Sequence, residues 1–339
     1  VIDGATFRWE KGKGNYRRPS PYRPPTTRTQ ERASRKNVLL IVCDDLNSHV
    51  SPAGYEPIHT PTLDDLSAAG MTFQRAFCQY PVCGPSRASF LSGLYPESTG
   101  VLNNTADIRH ERPGVASLPQ FFKEHGYWTA SVGKVFHSPR HEHGDVAWHE
   151  CVRLDNDELP VVRTARERFE SQNGAIDRGP NRKKWRTLKK QVSAKLAAQT
   201  PPGYGRSGLT DAQHKDGKNA RQTAKWLTEK TYGDQPFFIA CGFQKPHVPF
   251  LAPDKYFELY PANEVVYQPD RPNLWDSLPR SALSNRYRAF GFELGQEDDA
   301  LRREYMQAYH ACVSFIDAQL EIVLDALKES GQWDDTIVI

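Results

Sequence analysis

Three short apolar runs, each broken off by charge, constrain this chain more than any other feature. Asn37-Val38-Leu39-Leu40-Ile41-Val42-Cys43 runs into Asp44-Asp45, Tyr127-Trp128-Thr129-Ala130-Ser131-Val132 into Gly133-Lys134-Val135-Phe136-His137, and Phe237-Phe238-Ile239-Ala240-Cys241-Gly242 into Gln244-Lys245-Pro246-His247. Continuous apolar runs of this kind predict strands buried on both faces, as in a mainly parallel sheet covered by helices. Asp216 to Lys230 reads as an amphipathic crossover helix, Glu297 to Glu329 as a long helix with Tyr305, Phe315, Leu320 and Leu324 on its apolar side, and Thr336 to Ile339 as the start of a further strand. A chain of 339 residues is large enough for one big α/β domain, with or without an insertion.

In open α/β sheets ligands collect beyond the carboxyl ends of the strands. Asp44 and Asp45 stand at such an end, where two adjacent carboxylates repel unless a hard cation with oxygen ligands relieves them. A solvated Asp-Asp turn is the plain alternative. Lys134 and His137 follow the second strand, and Lys245 and His247 the third, in a loop stiffened by Pro246 and Pro249. Acids, ammonium groups and imidazoles converging around one anion-sized space suit the transfer of a sulfuryl or phosphoryl group.

Between the first two strands lies Pro81-Val82-Cys83-Gly84-Pro85-Ser86-Arg87-Ala88-Ser89-Phe90-Leu91-Ser92-Gly93. Pro85 suits the first turn of a helix, which puts Cys83 at a helix N-terminus, where backbone N–H groups and the helix dipole favour an anion; Arg87 adds a forked donor one turn on. For an isolated cysteine, burial beside an ordinary helix would be the simpler reading. The pattern C-x-P-S-R followed by A-S-F-L-S-G closely resembles the signature of the sulfatase family, in which this cysteine is oxidised after translation to formylglycine. Asp44-Asp45-Leu46 after a buried strand resembles the family's metal-binding start, and G-K-x-x-H at 133–137 its lysine-histidine segment. K-P-H-x-P-F at 245–250 resembles the iduronate-2-sulfatase branch.

The resemblance implies a large mainly parallel, mixed sheet sandwiched between helices, of alkaline-phosphatase and sulfatase type, with residues 37–339 as the N-terminal portion of the catalytic domain. It implies hydrolysis of a sulfate ester by the hydrate of formylglycine made from Cys83, with Arg87 and a divalent metal lowering the pKa of the attacking hydroxyl. Lys134 would hold developing charge, His247 would give a proton to the leaving alcohol, and His137 would assist release of sulfate. Asp44, Asp45 and residue 83 would hold the metal, expected to be Ca²⁺, with Mg²⁺ possible. The expected substrate is a sulfated sugar of the glycosaminoglycan uronate type, with Lys245 pairing with its carboxylate. The resemblance also implies export to the periplasm, the exterior or a lysosome. Two other readings stay open: a phosphodiesterase or phosphonate-type hydrolase using unmodified Cys83, and a polysaccharide-binding pseudoenzyme.

The sequence limits the remaining choices. Lys+Arg 44 against Asp+Glu 41 leaves a net charge of +3, too balanced to argue for a nucleic-acid partner. Positive charge is local, in a Pro-rich basic arm at 1–36 and in a run at 182–190 that is a solvated face or a rim attracting a polyanion. Residues from about 141 to 210 show poor periodicity and read as an excursion with some helix. Six scattered cysteines indicate neither a zinc knuckle nor a disulfide framework, and no apolar run is long enough for a membrane span. Thr60 and Ser117 read as caps of two short helices, and Met71 to Phe77 as a strand leading into the cysteine signature. In the resembling family the strand corresponding to 336–339 leads into further metal ligands, so a C-terminal segment or second chain is expected to supply the missing acid.

Overall fold

Each of the three apolar runs forms a strand, and the strand made by the last of them is central. A computed structural model describes residues 35–137, 144–199, 203–266, 273–279 and 299–339. Its strands are β1 (Asn37–Asp44), β2 (Trp128–Gly133), β3 (Glu150–Val152), β4 (Tyr204–Arg206), β5 (Phe237–Pro246), β6 (Phe250–Ala252) and β7 (Thr336–Val338). Five of them form a sheet in the order β3-β2-β5-β1-β7, and every pairing in it is parallel. β4 and β6 pair separately, also in parallel. Such crossovers need helices on the faces, and β5 shows the consequence, with Phe237 to Cys241 all at 0% exposure.

Alternate residues of the strands serve different layers. Leu39, Ile239 and Ala130 face a core closed by the helix Lys215–Thr228, through Ala220, Trp226 and Leu227, and by the long helix Asp299–Glu329, through Ala308, Cys312 and Phe315. Val38, Leu40, Phe238 and Ala240 face the opposite core, which includes Leu91 from the helix Cys83–Ser92 and Phe122 from the helix Leu118–Glu124. The result is the helix-sheet-helix architecture expected. Truncating a buried Phe of β5 to Ala would cost about 3–5 kcal/mol.

β2 ends on Gly133, which pairs with Gly242 of β5, and the two backbones approach so closely there that neither position has room for a side chain. A Cβ on Gly133, whose φ is +79°, would lie 2.0 Å from the Gly242 carbonyl oxygen, and one on Gly242 would lie 2.2 Å from the Lys134 carbonyl carbon. Glycine therefore lets the two site-bearing exits lie side by side.

Two expectations need correction, and two others gain detail. Residues 71–77 form no strand: Met71, Phe73 and Phe77 are among the most exposed apolar side chains, and no described strand offers the segment a partner. The excursion is more ordered than its weak periodicity suggested, because it holds β3, an edge strand of the main sheet too short to show a pattern, and the paired helices Pro160–Asn173 and Gly179–Gln199 packed on Phe169 and Trp185. Every pairing among the described strands of the main sheet is parallel, in keeping with the mainly parallel sheet expected. Finally, Thr60 and Ser117 make no side-chain cap bond. The Thr60 hydroxyl accepts from Ser51 N–H at 3.1 Å, and the carboxylate of Asp317 instead takes the N–H groups of Thr62 and Leu63 at 3.0 and 2.9 Å, a cap supplied by the long helix. The arm at 1–34, His141 and Glu297 lie outside the described residues.

Candidate active site

The end of β1 sets the electrostatics. Asp44 is 4% exposed, and a carboxylate so placed must be paired. Arg87 donates to its Oδ1 at 2.8 Å and Lys134 to its Oδ2. Burial alone would push Asp44 up, but the Arg87 guanidinium and the Lys134 ammonium outweigh it and hold the carboxyl below its usual range. Arg87 is buried as well, and its other donors go to the carbonyls of Val135, at 2.7 Å, and Lys134. The guanidinium thus ties the helix Cys83–Ser92 to β1 and to the segment after β2. Asp45, by contrast, is turned outward at a φ of 61°, and its carbonyl accepts from the Tyr309 hydroxyl at 2.9 Å.

Cys83 is the first residue of its helix, whose first turn closes when Ser86 N–H donates to Val82 C=O at 2.9 Å. Gly84 N–H is taken by Asn104 Oδ1 at 2.8 Å, and a Cβ on Gly84 would press against that same oxygen. Hydrogen bonding to His137 and then to His247 lowers the Cys83 thiol to about 6, assisted by the Lys134 charge and opposed by burial and Asp44. The shift favours the thiolate over the thiol.

His247 reaches the same point from the loop after β5. Its Nε2 lies 3.9 Å from Asp44 Oδ2 and 3.8 Å from Asp45 Oδ2, and its Nδ1 lies 2.5 Å from the Val248 carbonyl. A carbonyl only accepts, so Nδ1 carries the proton, and neutral His247 presents Nε2 as the accepting atom. Contact with Cys83, then the Val248 carbonyl and Asp44, raises its affinity for a proton against burial and Lys134.

Lys245 was expected to reach a substrate carboxylate, but the structure turns it inward. It is 7% exposed, and its ammonium donates to the carbonyls of His247, at 3.2 Å, and Pro249. Those carbonyls satisfy the buried charge, leaving the group to brace its own loop. Asp216, which the sequence reading placed only on a helix, is 2% exposed and accepts the N–H groups of Gln244 and Lys245, each at 2.8 Å. Asn219, one turn along the same helix, donates to Gly242 C=O at 3.1 Å. An acid and an amide on the core side of an amphipathic helix were the available signals for this pair.

Asp44, Cys83 and His247 bring an oxygen, the sulfur and a ring nitrogen within 4.8 Å of one another. With cysteine at 83 that set is mixed and poorly matched to Ca²⁺ or Mg²⁺. An oxygen-bearing residue 83 would give hard ligands with Asp44 and Asp45. The Lys134 ammonium on Asp44 Oδ2 marks where this carboxylate attracts a cation.

Comparisons with known proteins identify the family. Residues 36–339 match the Sulfatase family profile. A protein described as a sulfatase from Formosa agariphila is 32% identical over 333 residues, covering 91% of this chain and 59% of its relative. Iduronate 2-sulfatase from Homo sapiens is 31% identical over 321 residues, covering 89% and 53%. The chain therefore spans just over half the length of these relatives. Among solved structures, the phosphonate monoester hydrolase from Silicibacter pomeroyi superposes with a TM-score of 0.63 at 21% identity over 89% of this chain and 61% of that one, a likeness of fold.

Proposed function

Since the chain belongs to the sulfatase family, we propose that its strand-end site hydrolyses sulfate esters on an anionic sulfated sugar, with a glycosaminoglycan-type uronate as the preferred class. The observation that carries this reading is residue 83 at a helix N-terminus, contacted by both His137 and His247 and flanked by the Asp44-Lys134 pair. The relative described as iduronate 2-sulfatase supports the sugar class. The same relationship supports export from the cytosol, and no helix among the described residues is long and apolar enough to cross a membrane.

In this reading Cys83 is converted to formylglycine, whose hydrate supplies one hydroxyl to attack sulfur and a second to expel sulfate. Asp44, Asp45 and residue 83 would hold Ca²⁺ or Mg²⁺, which supplies Lewis-acid polarisation of the reacting oxygens. A hard cation prefers about six ligands or more, so water would share its shell with these three residues. Arg87 fixes Asp44, and Lys134 holds negative charge that develops beside residue 83. His247, protonated at Nε2, gives its proton to the leaving alcohol; its Nδ1 bond to Val248 C=O orients the ring for that transfer. His137 takes a proton from the second hydroxyl as sulfate departs. Lys245 and Asp216 position His247 and do not touch the substrate.

Cys83→Ser tests the two-hydroxyl chemistry. Serine retains a nucleophile but cannot expel sulfate in the second step, so one turnover should leave a sulfated protein visible by mass; steady turnover would overturn the reading. The lowered thiol also favours a second reading, a phosphonate-type hydrolase acting through unmodified Cys83. Faster turnover of phosphonate monoesters than of sulfate esters, with cysteine intact at 83, would select it.

A further inference from the structure

The hairpin formed by the helices Pro160–Asn173 and Gly179–Gln199 carries an unbalanced charge that the strand-end site does not use. In its first helix one arginine is paired twice: Arg166 donates to Glu158 at 2.8 Å and Glu170 at 2.9 Å. The second contains no acidic residue. Trp185, Leu188 and Val192 turn toward the first helix and the shared core with Phe169. Arg182, Lys183, Arg186 and Lys190 are all exposed, and among the described residues none of the four forms a salt bridge. At 3.6 residues per turn, Arg182, Arg186 and Lys190 stand one above the next, and Lys183 lies beside Lys190 on the face away from Trp185. Cations about one helical turn apart, without intervening acids, fit a chain of regularly spaced anions.

The hairpin also rises from the catalytic side of the sheet. β3 runs parallel to β2, so the chain leaving Val152 departs from the same edge as Lys134 and His137. Its base is tied there: Asp157 N–H donates to Gln213 C=O at 2.8 Å, Lys215 N–H to Asn156 Oδ1 at 2.8 Å, and Lys218 to Asp157 at 2.5 Å. Lys215 opens the helix whose next residue, Asp216, holds the His247 loop.

We propose that this basic helix is an exosite for a sulfated polysaccharide, holding the polymer near the strand-end site while one ester is presented for hydrolysis. The proposal rests on the sulfatase reading for its choice of polyanion. Nucleic acid is the competing class, but an edge that handles sulfate esters favours the polysaccharide. Recognition is electrostatic and fades with salt as screening shortens the reach of each charge.

The test is direct binding, which needs no turnover. Heparin, uncharged dextran and a double-stranded DNA of matched charge are titrated against the full chain and against Arg182→Gln/Lys183→Gln/Arg186→Gln/Lys190→Gln. Lys225→Gln/Lys230→Gln, in the last turn of the helix Lys215–Thr228 and just beyond it, controls for charge loss elsewhere, and circular dichroism verifies that each variant remains folded. Heparin should bind in a salt-dependent manner and lose at least about tenfold in affinity in the quadruple variant, with little change in the control and none for dextran. Equal losses in both variants, or tighter binding of DNA than of heparin, would overturn the exosite. Failure of sulfate-ester turnover with hairpin-dependent heparin binding intact would count against the sulfatase reading alone.

Discussion

Asp44 and His247 lie at the ends of neighbouring strands and come within 3.9 Å of each other, yet they are fixed by different means. Asp44 is held by charge: two cations meet one buried carboxylate, and Arg87 extends the pairing to the carbonyls after β2. His247 is held by the chain itself, through carbonyls that receive the Lys245 ammonium and N–H groups that Asp216 receives. Removing a partner from the first arrangement leaves a charge unpaired in a buried place, whereas loosening the second lets a loop drift while the core survives. The first should therefore fail chiefly in stability and the second chiefly in rate.

Arg87→Ala should give the largest loss of stability, about 3–5 kcal/mol by urea unfolding, because Asp44 keeps its charge and loses its main partner. A loss below about 1 kcal/mol would place Asp44 outside the buried-pair class. The pairing also has a pH signature. Asp44 is depressed in the folded chain, so its stabilisation is present above the ordinary carboxylate range and is lost as pH falls through the folded value. Acid titration of unfolding should therefore be less steep in Asp44→Asn, with Asp211, which is also depressed, keeping part of the slope.

On the loop side, Asp216→Ala should cost about 1–3 kcal/mol, since two buried N–H groups lose their acceptor, and should lower kcat more than it raises KM. Lys245→Met keeps the aliphatic stem and should reduce stability less. It should lower turnover equally for sulfated sugars with and without a carboxylate. A KM penalty confined to the carboxylate-bearing sugar would restore Lys245 as a substrate contact. The smallest effect is a titration: unmodified Cys83 should be alkylated along a curve with its midpoint at about 6, and His137→Ala should move that midpoint upward because the thiolate loses its strongest stabilising contact.

The same contrast explains what could be read from the chain. Asp44, Lys134 and His247 follow continuous apolar runs, so strand burial and parallel pairing were enough to gather them at one edge. Arg87 lay in a motif whose helix began at Cys83 as expected. The supports of the loop were hidden because they depend on tertiary approach: Asp216 meets residues 244 and 245 across the crossover, and Gly133 matters only because Gly242 lies against it. The inward turn of Lys245 was hidden for the same reason, since sequence spacing identifies a cation but not the carbonyls that surround it. Met71 to Phe77 supplied apolar residues for a strand, and pairing, which a local pattern cannot guarantee, was absent.

The most direct test of the sulfatase account follows residue 83 itself. Mass analysis of the peptide carrying it should be made on the same preparations in which turnover of a sulfate ester is measured, expressed with and without the modifying activity. The account predicts that turnover scales with the fraction of residue 83 carrying an aldehyde in place of the thiol, and vanishes with that fraction. Sulfate-ester turnover at full rate with Cys83 intact would contradict it.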